Sequence, residues 1–427
     1  MTPEAALAAL AIRPIEETQA RTLMRLCLFD WAVCAVAGNA EPVARILRET
    51  HAGQGQGAHL VGGGEAAPAI AALVNGATSH ALDYDDTHFG HIGHTSVAVM
   101  PAVLAMAEAR GAGTEAALEA ALVGSEAALR TGLWLGRSHY QVGFHMTATS
   151  GAVGACVAAA RLAGLDAAAT GHAIGLVSTK AAGLKSQFGT MGKPLNAGLA
   201  AEAGVLAVLW AEAGMTGAEA GLSGPQGLGE THHGDDNRAA FVQDGWRITG
   251  LSHKFHACCH GLHAMLEALR TLTVDADRVE AVVVETHPRW LRVCDQPAPT
   301  TGLGVKFSYR MTAAMALHAV PTADPESFSD ATANDPRLIA LRDRVRVTGD
   351  EALSEMQARV AVTLRDGTVL RASHDLDVAL SLTEREIRLR QKAGTVLGPG
   401  LSDALWSATD AADLSGLMDL LAQDARS

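Results

Sequence analysis

Between Asp83 and His94 the chain sets three carboxylates (Asp83, Asp85, Asp86) and three imidazoles (His88, His91, His94) within twelve residues, although only 19% of its residues are charged. Carboxylates and imidazoles move protons near neutral pH, because burial and neighbouring charge tune their pKa values across that range. Gly90 and Gly93 interrupt any helix here, and an apolar helical pattern begins at Val97. The segment therefore reads as a loop feeding a helix N-terminus, where a rigid scaffold can hold reactive groups.

Lysine usage points to a second place. Six of the 33 basic residues are Lys, so Arg is the default surface cation, yet Lys180, Lys185 and Lys193 fall within fourteen residues. Lys254 and Lys306 stand at abrupt changes of pattern. A compact ammonium whose pKa shifts on burial suits a position that binds a carboxylate closely or moves a proton. Lys193, in Gly189-Thr190-Met191-Gly192-Lys193-Pro194, precedes a helix whose first turn accommodates Pro194. Ammonium and free helix N–H groups together make an anion site. These glycines match neither a phosphate loop nor a dinucleotide fingerprint, and nothing else calls for a nucleotide or flavin.

Two segments imitate metal sites: His88, His91 and His94 with the nearby aspartates, and His253 to His263 with Cys258 and Cys259. Neither has the paired spacing of structural zinc, and Lys254 inside the second is electrostatically awkward for a cation. Acid–base work without metal is the expectation. The formal charge of −13 argues against nucleic acid and anionic membranes as partners, which need basic surfaces. The apolar run from Met146 to Ala160 is too short and small-sided to span a bilayer. Six irregularly placed cysteines suit reduced thiols and hence a cytoplasmic setting, and the first twelve residues lack the basic flank of a targeting segment.

These groups need a scaffold, and at 427 residues the chain is long enough for two domains. Long Ala/Leu/Val segments at 19–38, 66–82, 96–110, 114–135, 147–164 and 194–214 predict a bundle of mutually buried helices. After a further helix at 259–272 comes a strand at 279–286, a helix at 307–320, and strands at 357–364 and 368–374 around the Asp366-Gly367 hairpin signal. Helical periodicity resumes at Thr383. The expected fold is mainly α: a helical domain from both chain ends, 1–254 plus 381–427, with an inserted α+β domain at 255–380.

Five ordered motifs then carry a resemblance. Asp83-Tyr84-Asp85-Asp86-Thr87 with Gly93-His94-Thr95-Ser96, Gly143-Phe144-His145-Met146-Thr147, Gly192-Lys193-Pro194-Leu195, Lys254-Phe255-His256-Ala257-Cys258 and Lys306-Phe307-Ser308 are similar to those of the MmgE/PrpD family. That family includes 2-methylcitrate dehydratases, cis-aconitate decarboxylases and an iminodisuccinate epimerase. The resemblance implies the same two-domain division, a homodimer, a small anionic di- or tricarboxylate as substrate, and no cofactor. It implies that Asp83, Thr87 and His94 line the site with His145, Lys193 and Lys254. Tyr140 is a further proton-transfer candidate.

The mechanism expected from the resemblance makes or breaks a bond at carbon next to a carboxylate. His94, polarised by Asp83, is one acid–base group, and Tyr140 or His145 serves from the other side. Lys193 and Lys254 anchor carboxylates, Lys185 is a further binding candidate, and Thr87 fixes orientation. Asp85, Asp86, His88 and His91 read as solvated loop residues. Family members that decarboxylate cis-aconitate resemble one another in a Tyr shortly after the Phe-Ser of the last motif. Met311 takes that place here, Tyr309 is displaced by two residues, and Arg310 offers a carboxylate clamp instead. A dehydratase-type lyase is the leading expectation. An epimerase and a carboxylate-binding protein without turnover are the alternatives.

Overall fold

A computed structural model describes residues 1–242 and 245–423. It divides into two compact units: Met1–His253 together with Arg385–Ser427, and Lys254–Glu384. The fold is mainly α with a small α+β part.

The first unit is built on helices α1 (Pro3–Ala11), α2 (Thr18–Gly38), α3 (Pro42–His51), α4 (Pro68–Ser79), α5 (Ser96–Arg110), α6 (Thr114–Val142), α7 (Met146–Leu162), α8 (Ala167–Val177) and α9 (Gly192–Glu212). Their apolar faces are wide because the core helices bury one another: α7 is buried continuously from Met146 to Ala160. Small residues let the axes approach. A Cβ added to Gly154 of α7 would lie 2.6 Å from the Gly124 carbonyl of α6. A two-strand ribbon, β1 (Ala58–His59) and β2 (Glu65–Ala66), joins α3 to α4.

The crossing of α4 and α9 bears on the site, since α4 delivers His80 and Asp83 while α9 begins beside Lys193. A Cβ on Gly76 would meet the Gly198 Cα at 2.8 Å, and one on Gly198 would meet the Leu73 carbonyl at 2.2 Å. Neither obstacle is a side chain that could swing away. Replacing Gly198 by Ala is expected to destabilise the protein by about 1–3 kcal/mol, measured as a lower urea midpoint at constant slope. An unchanged midpoint would mean that this crossing is not tightly packed.

In the second unit, β3 (Val279–Thr286), β4 (Val345–Gly349), β5 (Gln357–Leu364) and β6 (Val369–Asp375) form a sheet in the order β4-β3-β5-β6. β3 pairs parallel with β4 and antiparallel with β5, and β5 and β6 form the Asp366-Gly367 hairpin. Period-two burial puts Val282, Val284, Ala358, Val360 and Val362 inside. α10 (His263–Arg270) packs on β5 and β6, and α11 (Tyr309–Leu317) packs against α10 and against α12 (Pro336–Arg342). The chain then re-enters the first unit through α13 (Leu382–Leu397), α14 (Pro399–Ala408) and α15 (Ser415–Ala422).

Beyond the expected segments the structure adds α1, α3, α8 and α12, and it departs from expectation at α6 and in the short strands. α6 does not stop at 135: it continues to Val142 across a break at Gly136 (φ 69°, ψ −167°), so Tyr140 rides on a short extension beyond the break. β4 and the β1–β2 ribbon were not anticipated, because runs of five and two residues are too short to display a strand period.

Candidate functional site

α4 ends at Ser79 and His80 follows as its cap. The next turn is closed by the Asp83 N–H donating to the His80 carbonyl at 3.1 Å. Asp83 has φ 52°, a left-handed conformation that a non-glycine residue holds only when its surroundings impose it. The turn drops Tyr84 and Asp85 into the core while Asp83 stays at the rim.

Asp85 is fully buried. Its Oδ1 accepts from His80 Nδ1 at 2.8 Å and its Oδ2 from His94 Nδ1 at 2.7 Å. Burial works to raise its pKa, but the charge and hydrogen bonds of the two imidazoles outweigh burial and hold the carboxyl well below the usual range. A carboxylate anion therefore sits between two imidazoles, each with its proton on Nδ1. The other nitrogen of His94, Nε2, lies 3.3 Å from Asp83 Oδ1, and Asp83 Oδ2 lies 2.6 Å from Lys193 Nζ. Side-chain exposure rises along this chain from 1% at Asp85 to 11% at His94 and 38% at Asp83. The row is closed at Asp85 and open at Asp83 and Lys193, which is the end a solute can reach.

His145 stands at the N-cap of α7, its ring 6.2 Å from that of His80 and edge-on to Phe188. The Asn196 side-chain amide donates to its Nδ1 at 3.2 Å, which leaves the ring proton on Nε2. Burial first, and then the Lys193 charge, push its pKa well below the ordinary histidine value. It is a neutral imidazole beside an ammonium.

The remaining predicted residues fall in other places. Thr87 shares the Asp83 loop and makes a two-way backbone bridge with Ser252, both bonds at 2.8 Å. Tyr140 and Lys185 form their own pair: the ammonium donates to the Tyr140 carbonyl at 2.9 Å and lies 3.7 Å from the ring centre. Lys254 and Arg310 belong to the second unit. Lys254 is buried, and Arg310 Nε faces Asp295 Oδ1 at 3.7 Å. Tyr309 is spent on packing, its hydroxyl donating to the Gly261 carbonyl at 2.6 Å and accepting from Thr286.

Two expectations are corrected. Asp85, Asp86 and His91 are not solvated loop residues; all three are buried. The carboxylate that orients His94 through Nδ1 is Asp85, while Asp83 meets the opposite nitrogen. The loop folds inward because every one of these groups finds a partner: Asp86 accepts from the Ser96 N–H at 3.2 Å and from its hydroxyl, and His91 Nε2 donates to Ser150 Oγ at 2.6 Å. Burial pushes His91 down to about 3 and His88 to about 4, so both are neutral scaffold. His80 was missed altogether. A single imidazole one residue past a helix end carries no spacing signal.

Asp86 supplies a pH test. Burial, opposed by the Ser96 hydrogen bond and aided by Asp85 and Asp30, raises its carboxyl to about 7. A carboxyl whose folded pKa is raised contributes stability at low pH and loses it as pH climbs from the unfolded value of about 4 toward the folded one. Relative to the native protein, Asp86→Asn, a neutral isostere, is therefore expected to gain on the order of 2–3 kcal/mol of stability between pH 5 and pH 8. Urea unfolding at both pH values measures it, and equal differences at the two would refute the assignment.

His80, Asp83, Asp85 and His94 bring donor atoms within 4.8 Å of one another, close enough to share a cation. The contacts these groups make in the structure are with N–H donors. Both Asp85 oxygens already accept from imidazole N–H groups, and Lys193 supplies the positive charge at Asp83.

Comparison with known proteins places the sequence in a family. Residues 6–239 match the MmgE/PrpD N-terminal domain and residues 256–404 the MmgE/PrpD C-terminal domain. The chain is 29% identical over 224 residues to a cis-aconitate decarboxylase-like protein of Aspergillus oryzae, covering 48% of this chain and 46% of that one. It is 29% identical over 266 residues to the cis-aconitate decarboxylase of Aspergillus terreus, covering 57% and 54%. It is 27% identical over 156 residues to a mitochondrial 2-methylcitrate dehydratase of Yarrowia lipolytica, covering 33% and 28%. The chain thus spans about half the length of the first two relatives.

Proposed function

Starting from the fact that this chain belongs to the MmgE/PrpD family, we propose that it is a lyase acting on a small di- or tricarboxylate, moving a proton at the carbon next to a carboxylate in a dehydratase-type elimination. The observation that carries the reading is the Asp85–His94–Asp83–Lys193 row, in which a buried anion backs an imidazole whose second nitrogen faces the accessible end.

Loss of a proton next to a carboxylate places charge on that carboxylate, so the site must supply a base, a cation and an acid for the leaving hydroxyl. His94 is the base: Asp85 fixes its proton on Nδ1 and stabilises the imidazolium formed when Nε2 takes the proton. Lys193 is the cation, and a substrate carboxylate entering from the open end competes with Asp83 for it. His145, neutral with its proton on Nε2, can hydrogen-bond the departing oxygen, and the proton that His94 has taken completes the water as the hydroxide leaves. Water and an alkene are the products.

The relatives' names make cis-aconitate and 2-methylcitrate the first substrates to test, and both are tricarboxylates. A decarboxylase is the second reading, supported by the cis-aconitate relatives. Against it stands Met311, fully buried in α11 where the resemblance leads us to expect a tyrosine in decarboxylating members.

The test is proton NMR in deuterated water with EDTA present, offering 2-methylcitrate, citrate, malate, cis-aconitate and iminodisuccinate in turn. A growing alkene signal from a hydroxy acid supports the dehydratase. Carbon dioxide release from cis-aconitate would replace it with the decarboxylase, and deuterium entry without loss of water would replace it with an epimerase.

A further inference from the structure

Five of the six lysines lie in or near the motifs discussed above; the sixth, Lys392, is on the returning helix α13. That helix is amphipathic and largely polar, yet Lys392 faces inward with 1% of its side chain exposed. Its ammonium donates to Asp30 Oδ1 at 2.6 Å, to the Tyr84 carbonyl at 2.7 Å and to Cys34 Sγ at 3.7 Å, and it lies 3.9 Å from the centre of the Tyr84 ring. All three protons of the ammonium are thus used.

A buried ion pair is not by itself a reason for a lysine, because well-packed apolar residues serve stability as well or better. The third partner is what distinguishes this one. The Tyr84 carbonyl lies in the peptide between Tyr84 and Asp85, immediately after Asp83 in its left-handed conformation. Holding that peptide fixes the turn that sends Asp85 inward to His94 Nδ1 and leaves Asp83 outward at His94 Nε2. The ring contact holds the same residue from its side chain.

We propose that Lys392 is a positioning residue: from the C-terminal helix it clamps Tyr84, and through that clamp sets Asp83 and Asp85 against the two nitrogens of His94. The proposal rests on the reading of His94 as the proton carrier. It gives the return of the chain to the first unit a role in the chemistry.

The test must separate clamping from folding, since Lys392→Met alone strands Asp30 as an unpaired buried charge. The double variant Asp30→Asn/Lys392→Met removes both charges and keeps the side-chain volumes, so it is expected to fold and melt close to the native protein while the Tyr84 carbonyl loses its donor. Two readouts follow. The first is kcat, expected to fall about 10–100-fold with KM within threefold of the native value, whereas a purely structural role would leave kcat intact in a double variant that melts normally. The second is the Nδ1–H resonance of His94 in protein labelled with nitrogen-15 histidine, identified by its absence in His94→Gln. In the native protein this resonance should be strongly downfield through its bond to Asp85, and in the double variant it should move upfield or broaden. A double variant with native kcat overturns the proposal, as does a fall in kcat with the resonance unmoved. If the native protein turns over none of the carboxylates offered, the functional reading fails, and the resonance alone still decides whether Lys392 sets the His94–Asp85 contact.

Discussion

Glutamine at His94 is expected to lower kcat by about 10²–10⁴-fold, the range lost when a positioned acid–base group is removed, while changing ligand affinity little. The side-chain amide can still donate to Asp85 and so keeps the buried anion partnered, which limits the cost in stability to about 1 kcal/mol. It cannot take up a proton. Lys193 remains to hold a carboxylate and His145 to meet the hydroxyl, so titration calorimetry with a substrate or product should report a dissociation constant within a few-fold of the native one. Loss of binding in proportion to loss of turnover would mean that His94 is a binding group, and the base would have to be sought elsewhere. Native turnover in the variant would remove the row from the mechanism.

Much of this architecture is legible in the residues. Long Ala-rich stretches with helical period give α2, α5, α7 and α9 nearly to their ends, and Val279 to Thr286 alternates as a strand should. What pattern cannot show is where an irregular segment goes once it leaves its helix. The Asp83–His94 loop is as polar as any surface loop in composition, and its inward course is decided by partners far along the chain: Ser150 on α7 for His91, Lys392 on α13 for Tyr84. Tertiary partnering of this kind leaves no local trace. The same limit explains why the sequence suggests Asp83 behind His94 and leaves Asp85 as a solvated loop residue, whereas Asp85 is the partner of His94 Nδ1. The two carboxylates are two residues apart, and only the left-handed turn at Asp83 determines which one enters the core. Lys193 is legible because its signal is local: a scarce residue type at a glycine-rich helix start.

The second large effect is expected at Asp85, although Asp85 reaches no solute itself. Asp85→Asn preserves size and shape but replaces an anion that accepts two N–H bonds with an amide that accepts at one end and donates at the other. One of the two imidazoles must then present a bare nitrogen to the amide. If His94 is the one that turns its tautomer, its proton moves to Nε2 and it can no longer accept one there; a comparable tautomer error in a serine protease costs about 10⁴ in kcat. If His80 turns instead, His94 keeps its tautomer and loses only the anion that stabilises its imidazolium. The acid limb of the residual pH–rate profile then moves to lower pH, because a cation without its counter-charge gives up its proton more readily. Either branch predicts a loss well beyond that of Asp83→Asn, which removes a half-exposed charge whose two contacts a substrate carboxylate can replace. Comparing kcat and its pH dependence for the two asparagine variants therefore tests the central assignment. A larger loss at Asp83 than at Asp85 would return the polarising role to Asp83 and reduce Asp85 to a satisfied core carboxylate. The reverse order would establish that the group driving the chemistry is the one buried out of a substrate's reach.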